Sequence, residues 1–201
     1  MWDKKIIAIS DRKIVEGDFL KQVEKIAKSG VDAFVLREKD LSEFEYYDLA
    51  KEVLQICSKQ KLTCILHFFD RQCLKLNHRY FHAPLSLLRQ EPRLARYFHL
   101  LGTSIHSKEE LLEAMNYKVN YAFAGHIFES SCKKDLEPKG IEFLNSLLAF
   151  SKIPLYAIGG INLENIEKLK NLDIAGVCMR EALMNEKKLK VYLNECRQKC
   201  E

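Results

Sequence analysis

Tyr121–Lys134 reads YAFAGHIFESSCKK. It opens as an apolar, aromatic-rich run, passes through Gly125, and reaches His126 where the chain turns polar. Such a segment predicts a buried strand whose exit carries a titratable ring. A second run, Pro154–Ile161 (PLYAIGGI), ends in paired glycines and is followed by a helical pattern. Together the two stretches predict a β/α enzyme with its site at the strand ends.

Outward from these runs the same unit recurs along the chain. Strands are expected at Ile6–Ser10, Ala33–Leu36, Thr63–Leu66 (reaching His67), Tyr80–Ala83, Leu100–Ile105, Tyr121–Ile127, Leu155–Ile158 and Gly176–Met179. Helical patterns fall between them: Asp18–Ser29, Ser42–Lys59, a single turn at Gln72–Leu76, Ser107–Met115, Lys139–Phe150, a helix capped by Asn162, and Glu186–Cys200. Ser42 and Asn162 are cap residues, and Ser107 with Glu110 has capping-box spacing. Leu85–Arg96 resists assignment. Eight strand candidates interleaved with helices in 201 residues predict a compact (β/α)8 TIM barrel, with an open α/β sheet as the alternative.

Composition narrows the function classes. A 47% apolar content suffices for a core, and the length suits a single TIM-barrel domain over residues 1–201. The 32 basic and 28 acidic side chains are interspersed, which argues against a nucleic-acid partner. Seven cysteines without a CxxC fit neither a disulfide framework nor a zinc knuckle. No signal-peptide-like start and no long uncharged apolar stretch is present, so a cytoplasmic chain without a membrane partner is expected. A homodimer is an assembly open to a barrel of this size.

In a barrel the ends of successive strands converge on one mouth, bringing distant candidates together. Gly159-Gly160 is either an ordinary tight turn or a phosphate cradle, since glycines leave N–H groups open to an anion. Phosphate sites in this fold use the loops after strands seven and eight, which adds Cys178, Met179 and Arg180. Arg180 either offers its fork to phosphoryl oxygens or lies outward against Glu181 or Glu186. Arg37, Lys39 and Lys133 are further cations for an anionic substrate, or solvated surface charges. Ser104 either holds a substrate polar group, positions His126, or is satisfied by backbone. His126 is the best proton-transfer candidate, because imidazole accepts and returns a proton near neutral pH. Cys132 assists or merely packs. His67, His82, His99 and His106 form no metal-binding cluster in sequence, while Asp70 is either a turn residue or a magnesium ligand for a diphosphate.

LREK at Leu36–Lys39, GTSIHS at Gly102–Ser107, GHIFESSCKK at Gly125–Lys134 and AIGGI at Ala157–Ile161 resemble the thiamine phosphate synthase and thiazole tautomerase family over nearly the whole chain. The resemblance implies a (β/α)8 barrel acting on a phosphorylated thiazole in thiamine biosynthesis. The synthase branch joins a hydroxymethylpyrimidine diphosphate to a thiazole phosphate, usually with Mg2+ and an NDR-like acidic site. Here that site reads FDR, with Phe69 for asparagine while Asp70 and Arg71 fit, and the HLGQED-like stretch is replaced by HAPLSLL at His82–Leu88. The tautomerase branch carries a GH-V/I-FE pattern that Gly125–Glu129 matches, and its proton-transferring histidine maps onto His126. That branch needs no organic cofactor. Departures from it are Val35 before the Leu-Arg pair, ILHFFDR at Ile65–Arg71, and Arg180 in the last phosphate loop, and His67 offers a proton route in so altered a pocket.

The leading expectation is therefore an isomerase that aromatises a 2-carboxythiazole phosphate. His126 would move the proton, Gly159, Gly160 and Cys178–Arg180 would hold phosphate, and Arg37 or Lys133 would face the carboxylate. Lys39, His67 and Ser104 would complete the substrate site. A thiamine phosphate synthase using Mg2+ and Asp70 is the enzyme alternative, and a binding or regulatory protein with a degenerate pocket is the non-enzyme alternative.

Overall fold

A computed structural model describes residues 3–130 and 136–201. Its parallel strands close into an eight-stranded barrel in chain order, β8 pairing with β1. The elements run β1 (Lys5–Ile9), α1 (Phe19–Ala27), β2 (Ala33–Leu36), α2 (Glu43–Lys59), β3 (Thr63–His67), α3 (Asp70–Lys75), β4 (Tyr80–Ala83) and α4 (Leu85–Gln90). They continue with β5 (Leu100–Ile105), α5 (Lys108–Asn116), β6 (Tyr121–Gly125), α6 (Gly140–Leu148), β7 (Leu155–Ile158), β8 (Gly176–Met179), α7 (Glu181–Met184) and α8 (Leu189–Lys199).

Strand alternation builds two cores. Ile7, Ile9, Ala33, Val35, Ile65, Tyr121, Phe123, Tyr156 and Cys178 fill the barrel interior, whereas Ile6, Ala8, Phe34, Leu36, Ala122, Ala124, Val177 and Met179 pack against the helices. Side chains two apart share a face, so residues just past a strand's end continue its inward row into the mouth. Inward residues at 35, 65 and 178 thus lead to Arg37, His67 and Arg180.

The helices form where apolar faces and caps agree. Asp18 caps α1 by accepting from Lys21 N at 3.0 Å, and Val23 and Ile26 are buried beneath it. Ser42 and Glu45 make a reciprocal capping box on α2, whose Tyr46, Ala50, Val53 and Cys57 recur on one buried face. Buried Tyr46 also ties two strand ends together. Its hydroxyl donates to Leu36 O and accepts from His67 N, both at 2.9 Å.

Several boundaries differ from the sequence expectation. Strand β6 stops at Gly125 rather than Ile127, Leu85–Arg96 divides into α4 and a 3-10 turn at Leu94–Tyr97, and the last helix starts at Leu189 with α7 ahead of it. Ser107 caps α5, but the Glu110 carboxylate returns to His106 N instead of closing the box. The helix expected after Asn162 is only a 3-10 turn, Ile166–Leu169. Local side-chain bonds compete with it: Asn162 Oδ1 accepts from Glu164 N at 2.8 Å, and Asn165 Oδ1 accepts from Asn162 N at 3.0 Å. No helix among the described residues is long and apolar enough to cross a membrane.

Candidate functional site

A cavity of about 730 Å3 opens at the C-terminal ends of the strands. Arg37, Lys39, His67, Ser104, His126, Gly159, Gly160, Cys178 and Arg180 all line it. Met179 does not, since alternation turns it outward into the helix-facing core. Asp70 begins α3 and is absent from the lining. Lys133 and Cys132 lie outside the described residues.

His126 sits where β6 meets β7. Its ring borders the cavity at 5% exposure. Nε2 lies 3.2 Å from Leu136 O, and because a carbonyl only accepts, that nitrogen carries the hydrogen. The lone pair is then left on Nδ1, which is the basic atom of this ring. Its backbone is gripped on both sides: Lys139 N donates to His126 O, and Ile127 N donates to Ile158 O.

Gly159 and Gly160 have φ of +106° and +66°, the left-handed region glycine favours. Their carbonyls are engaged, Gly159 O by Phe128 N at 3.0 Å and Gly160 O by Asn165 Nδ2 at 2.8 Å. Across planar trans peptides the following N–H groups, of Gly160 and Ile161, point the opposite way. These amides belong to the loop itself, and the element that follows it is a 3-10 turn, not an α-helix. Arg180 also lines the cavity and pairs with Asp11 at 2.6 Å. Cys178 is a packing thiol whose pKa burial pushes well up.

Arg37 is fixed from beneath. Its N–H donates to Ser10 Oγ at 2.8 Å, and that hydroxyl donates to the buried Glu38 carboxylate at 2.6 Å. Glu38 also pairs with Arg12, which reaches on to Asp40. Arg37 is therefore a cation held on a braced loop.

On the β3–β5 side a row of rings adjoins the cavity, in which the sequence offered His67 as a substrate residue and His82 was weighed only as a metal ligand. His82, 1% exposed, stacks on Phe123 at 4.3 Å and on His67 at 5.6 Å between centroids, and Phe68 extends the row at the rim. Inward parity with Ser104 was the available signal for His82. Burial, then the nearby charge of Arg37, lowers the His82 pKa to about 3. Burial and the charges of His82, Arg37 and Lys39 likewise hold half-buried His67 neutral, and its Nδ1 has no partner among the described residues. An imidazole whose folded pKa lies below its ordinary 6.5 is protonated first in the unfolded chain, so stability falls as pH drops. Urea unfolding should lose roughly 1.5 kcal/mol from His82 between pH 6.5 and pH 5. The His82→Asn variant should lose correspondingly less over that range, and equal losses would exclude His82 as the source.

Of the carboxylates among the described residues, Glu129 and Glu181 line the cavity and Asp70 does not. Among the described residues no group of three or more histidines, cysteines and carboxylates is placed to hold a metal. At the exits of β3 and β4 the cavity is lined by His67, Phe68 and Pro84, with Asp70 elsewhere.

Residues 6–183 match the family described as thiamine monophosphate synthase (TMP-TENI). A thiamine-phosphate synthase from Clostridium acetobutylicum is 30% identical over 192 residues, covering 94% of this chain and 90% of that protein. One from Fusobacterium nucleatum is 31% identical over 193 residues, covering 94% and 93%. Among solved structures, a thiamine phosphate pyrophosphorylase from Pyrococcus furiosus superposes with a TM-score of 0.82 at 22% identity, covering 99% of this chain and 96% of that one. A geranylgeranylglyceryl phosphate synthase from Thermoplasma acidophilum, in complex with sn-glycerol-1-phosphate, shares the fold at a TM-score of 0.71 and 9% identity, covering 98% and 93%.

Proposed function

We propose, from the premise that this chain belongs to the TMP-TENI family of thiamine monophosphate synthases, that it is an enzyme of thiamine biosynthesis which isomerises a carboxythiazole phosphate. The observation that supports this reaction is the His126 ring, bordering the cavity beside Gly159 with Nε2 engaged by Leu136 O and Nδ1 left to act as base. The amides of Gly160 and Ile161, with Arg180, bind the phosphate. Arg37 faces the carboxylate. His126 Nδ1 removes a ring-associated proton and returns one at the exocyclic carbon. Aromatic delocalisation in the product supplies the driving force, so holding the ring and moving the proton suffices.

The relatives' names favour a second reading and back it more strongly than they back an isomerase: a thiamine phosphate synthase joining a pyrimidine diphosphate to a thiazole phosphate. Against it stand the side chains themselves, with Asp70 off the cavity lining and no carboxylate at the exit of β4. One comparison separates the two. The protein is incubated with the dihydrothiazole carboxylate phosphate, following the absorbance of the aromatic isomer, and separately with both synthase substrates and Mg2+, following diphosphate release. Absorbance growth alone is the expected result. Diphosphate release alone would replace the isomerase by the synthase, and saturable binding without either turnover would leave a binding protein.

A further inference from the structure

We propose that His82 is a positioning residue which, backed by Tyr121, fixes the Ser104 hydroxyl as a hydrogen-bond donor to a carboxylate oxygen of the bound substrate. The inference rests on the reading that a phosphorylated carboxylate occupies this cavity.

The three side chains form one line from the core to the mouth. Tyr121 Oη lies 3.1 Å from His82 Nδ1, and Ser104 Oγ lies 2.9 Å from His82 Nε2. Either hydroxyl is able to donate or accept, so the line has two possible directions. Burial decides between them. Tyr121 is 5% exposed, and His82 is its hydrogen-bond partner among the described residues, so its hydrogen goes to Nδ1. A neutral imidazole accepting at Nδ1 carries its hydrogen on Nε2, and the low pKa of His82 keeps it neutral. Ser104 Oγ then accepts from His82, and its own hydrogen is left for the cavity that it lines.

The barrel is shaped for this line. Gly102 pairs with both His82 and Tyr121 across the sheet. A Cβ at Gly102 would stand 2.0 Å from the Tyr121 ring, so the absent side chain is what lets the phenol lie across β5 toward His82. Phe123 stacks on the imidazole, 4.3 Å between centroids. A hydroxyl that is obliged to donate selects an acceptor, and Arg37 and Lys39, which line the same cavity as Ser104, favour an anionic oxygen there.

Nitrogen-resolved NMR of the ring nitrogens, with His82 assigned through His82→Asn, should find the hydrogen on Nε2 in the whole protein. A hydrogen on Nδ1 would overturn the proposal whatever the reaction proves to be. Calorimetry then compares the aromatic carboxythiazole phosphate with the thiazole phosphate lacking the carboxylate. Ser104→Ala and Tyr121→Phe should each weaken the carboxylated probe by about three- to tenfold. The double variant should bind it no worse than Ser104→Ala, because Tyr121 acts through Ser104. Multiplying losses in the double variant, or equal losses on both probes, would overturn the assignment. If the unaltered protein binds neither probe while Nε2 carries the hydrogen, the substrate reading fails and the proposal with it.

Discussion

Replacing His126 by Asn should lower isomerisation about 10²- to 10⁴-fold while the affinity for the carboxythiazole phosphate changes by less than about threefold. Asparagine keeps a polar side chain at the exit of β6, its amide atoms taking the places of the ring's Nδ1 and Cδ2, though it is too short to reach Leu136 O as Nε2 does. What it lacks is a basic lone pair. The phosphate contacts proposed above come from loops after β7 and β8 and are untouched, so ground-state binding is expected to persist. Single-turnover kinetics and calorimetry on the same preparation make the comparison. Unchanged turnover would remove His126 from the chemistry, and a parallel loss of binding would make it a substrate holder instead.

Gly160→Ala should destabilise the fold by roughly 2–5 kcal/mol and abolish phosphate-ligand binding. A Cβ there would stand 2.0 Å from Glu129 O and 2.7 Å from Phe128 O, both backbone atoms, at a φ of +66°. Neither neighbour is a flexible side-chain end, so the loop itself must move. Gly159→Ala strikes His126 directly, its Cβ falling 2.2 Å from His126 Cβ. Gly17 provides the control: its φ is +100°, yet nothing lies within 4 Å of an added Cβ. Gly17→Ala should therefore show backbone strain alone, roughly 1 kcal/mol. Thermal unfolding of the variants, with melting shifts of about 2–4 °C per kcal/mol for a chain of this size, provides the scale. Similar shifts for Gly17→Ala and Gly160→Ala would refute the close-contact argument.

The contact between Gly159 and His126 joins two candidates that the sequence presents as unrelated motifs, 33 positions apart. Their adjacency follows from β6 pairing with β7, with Gly125 opposite Ile158. Strand parity recovers more than motif reading did. It places Cys178 inward and Met179 outward, and it would have shown His82 on the same inward row as Ser104. The magnesium alternative leaned on Asp70, whose identity survives in the motif but whose position at the start of α3 leaves it off the cavity lining. The neighbouring Phe69 packs on Tyr46 at 4.5 Å between ring centroids, joining the apolar layer beneath the helices.

By itself the sequence determined the barrel, because apolar runs of strand length alternating with capped amphipathic segments bury their faces in only a few ways. It also named the imidazole and the paired glycines, whose chemistry is intrinsic to the residue types. Only the tertiary structure set His126 Nε2 against Leu136 O and brought Tyr121, His82 and Ser104 into one line. It also decided that a 3-10 turn, not an α-helix, follows the paired glycines. Those outcomes depend on partners brought together from separate strands and on local side-chain bonds that outcompete helix formation, and neither is written in the pattern of one segment.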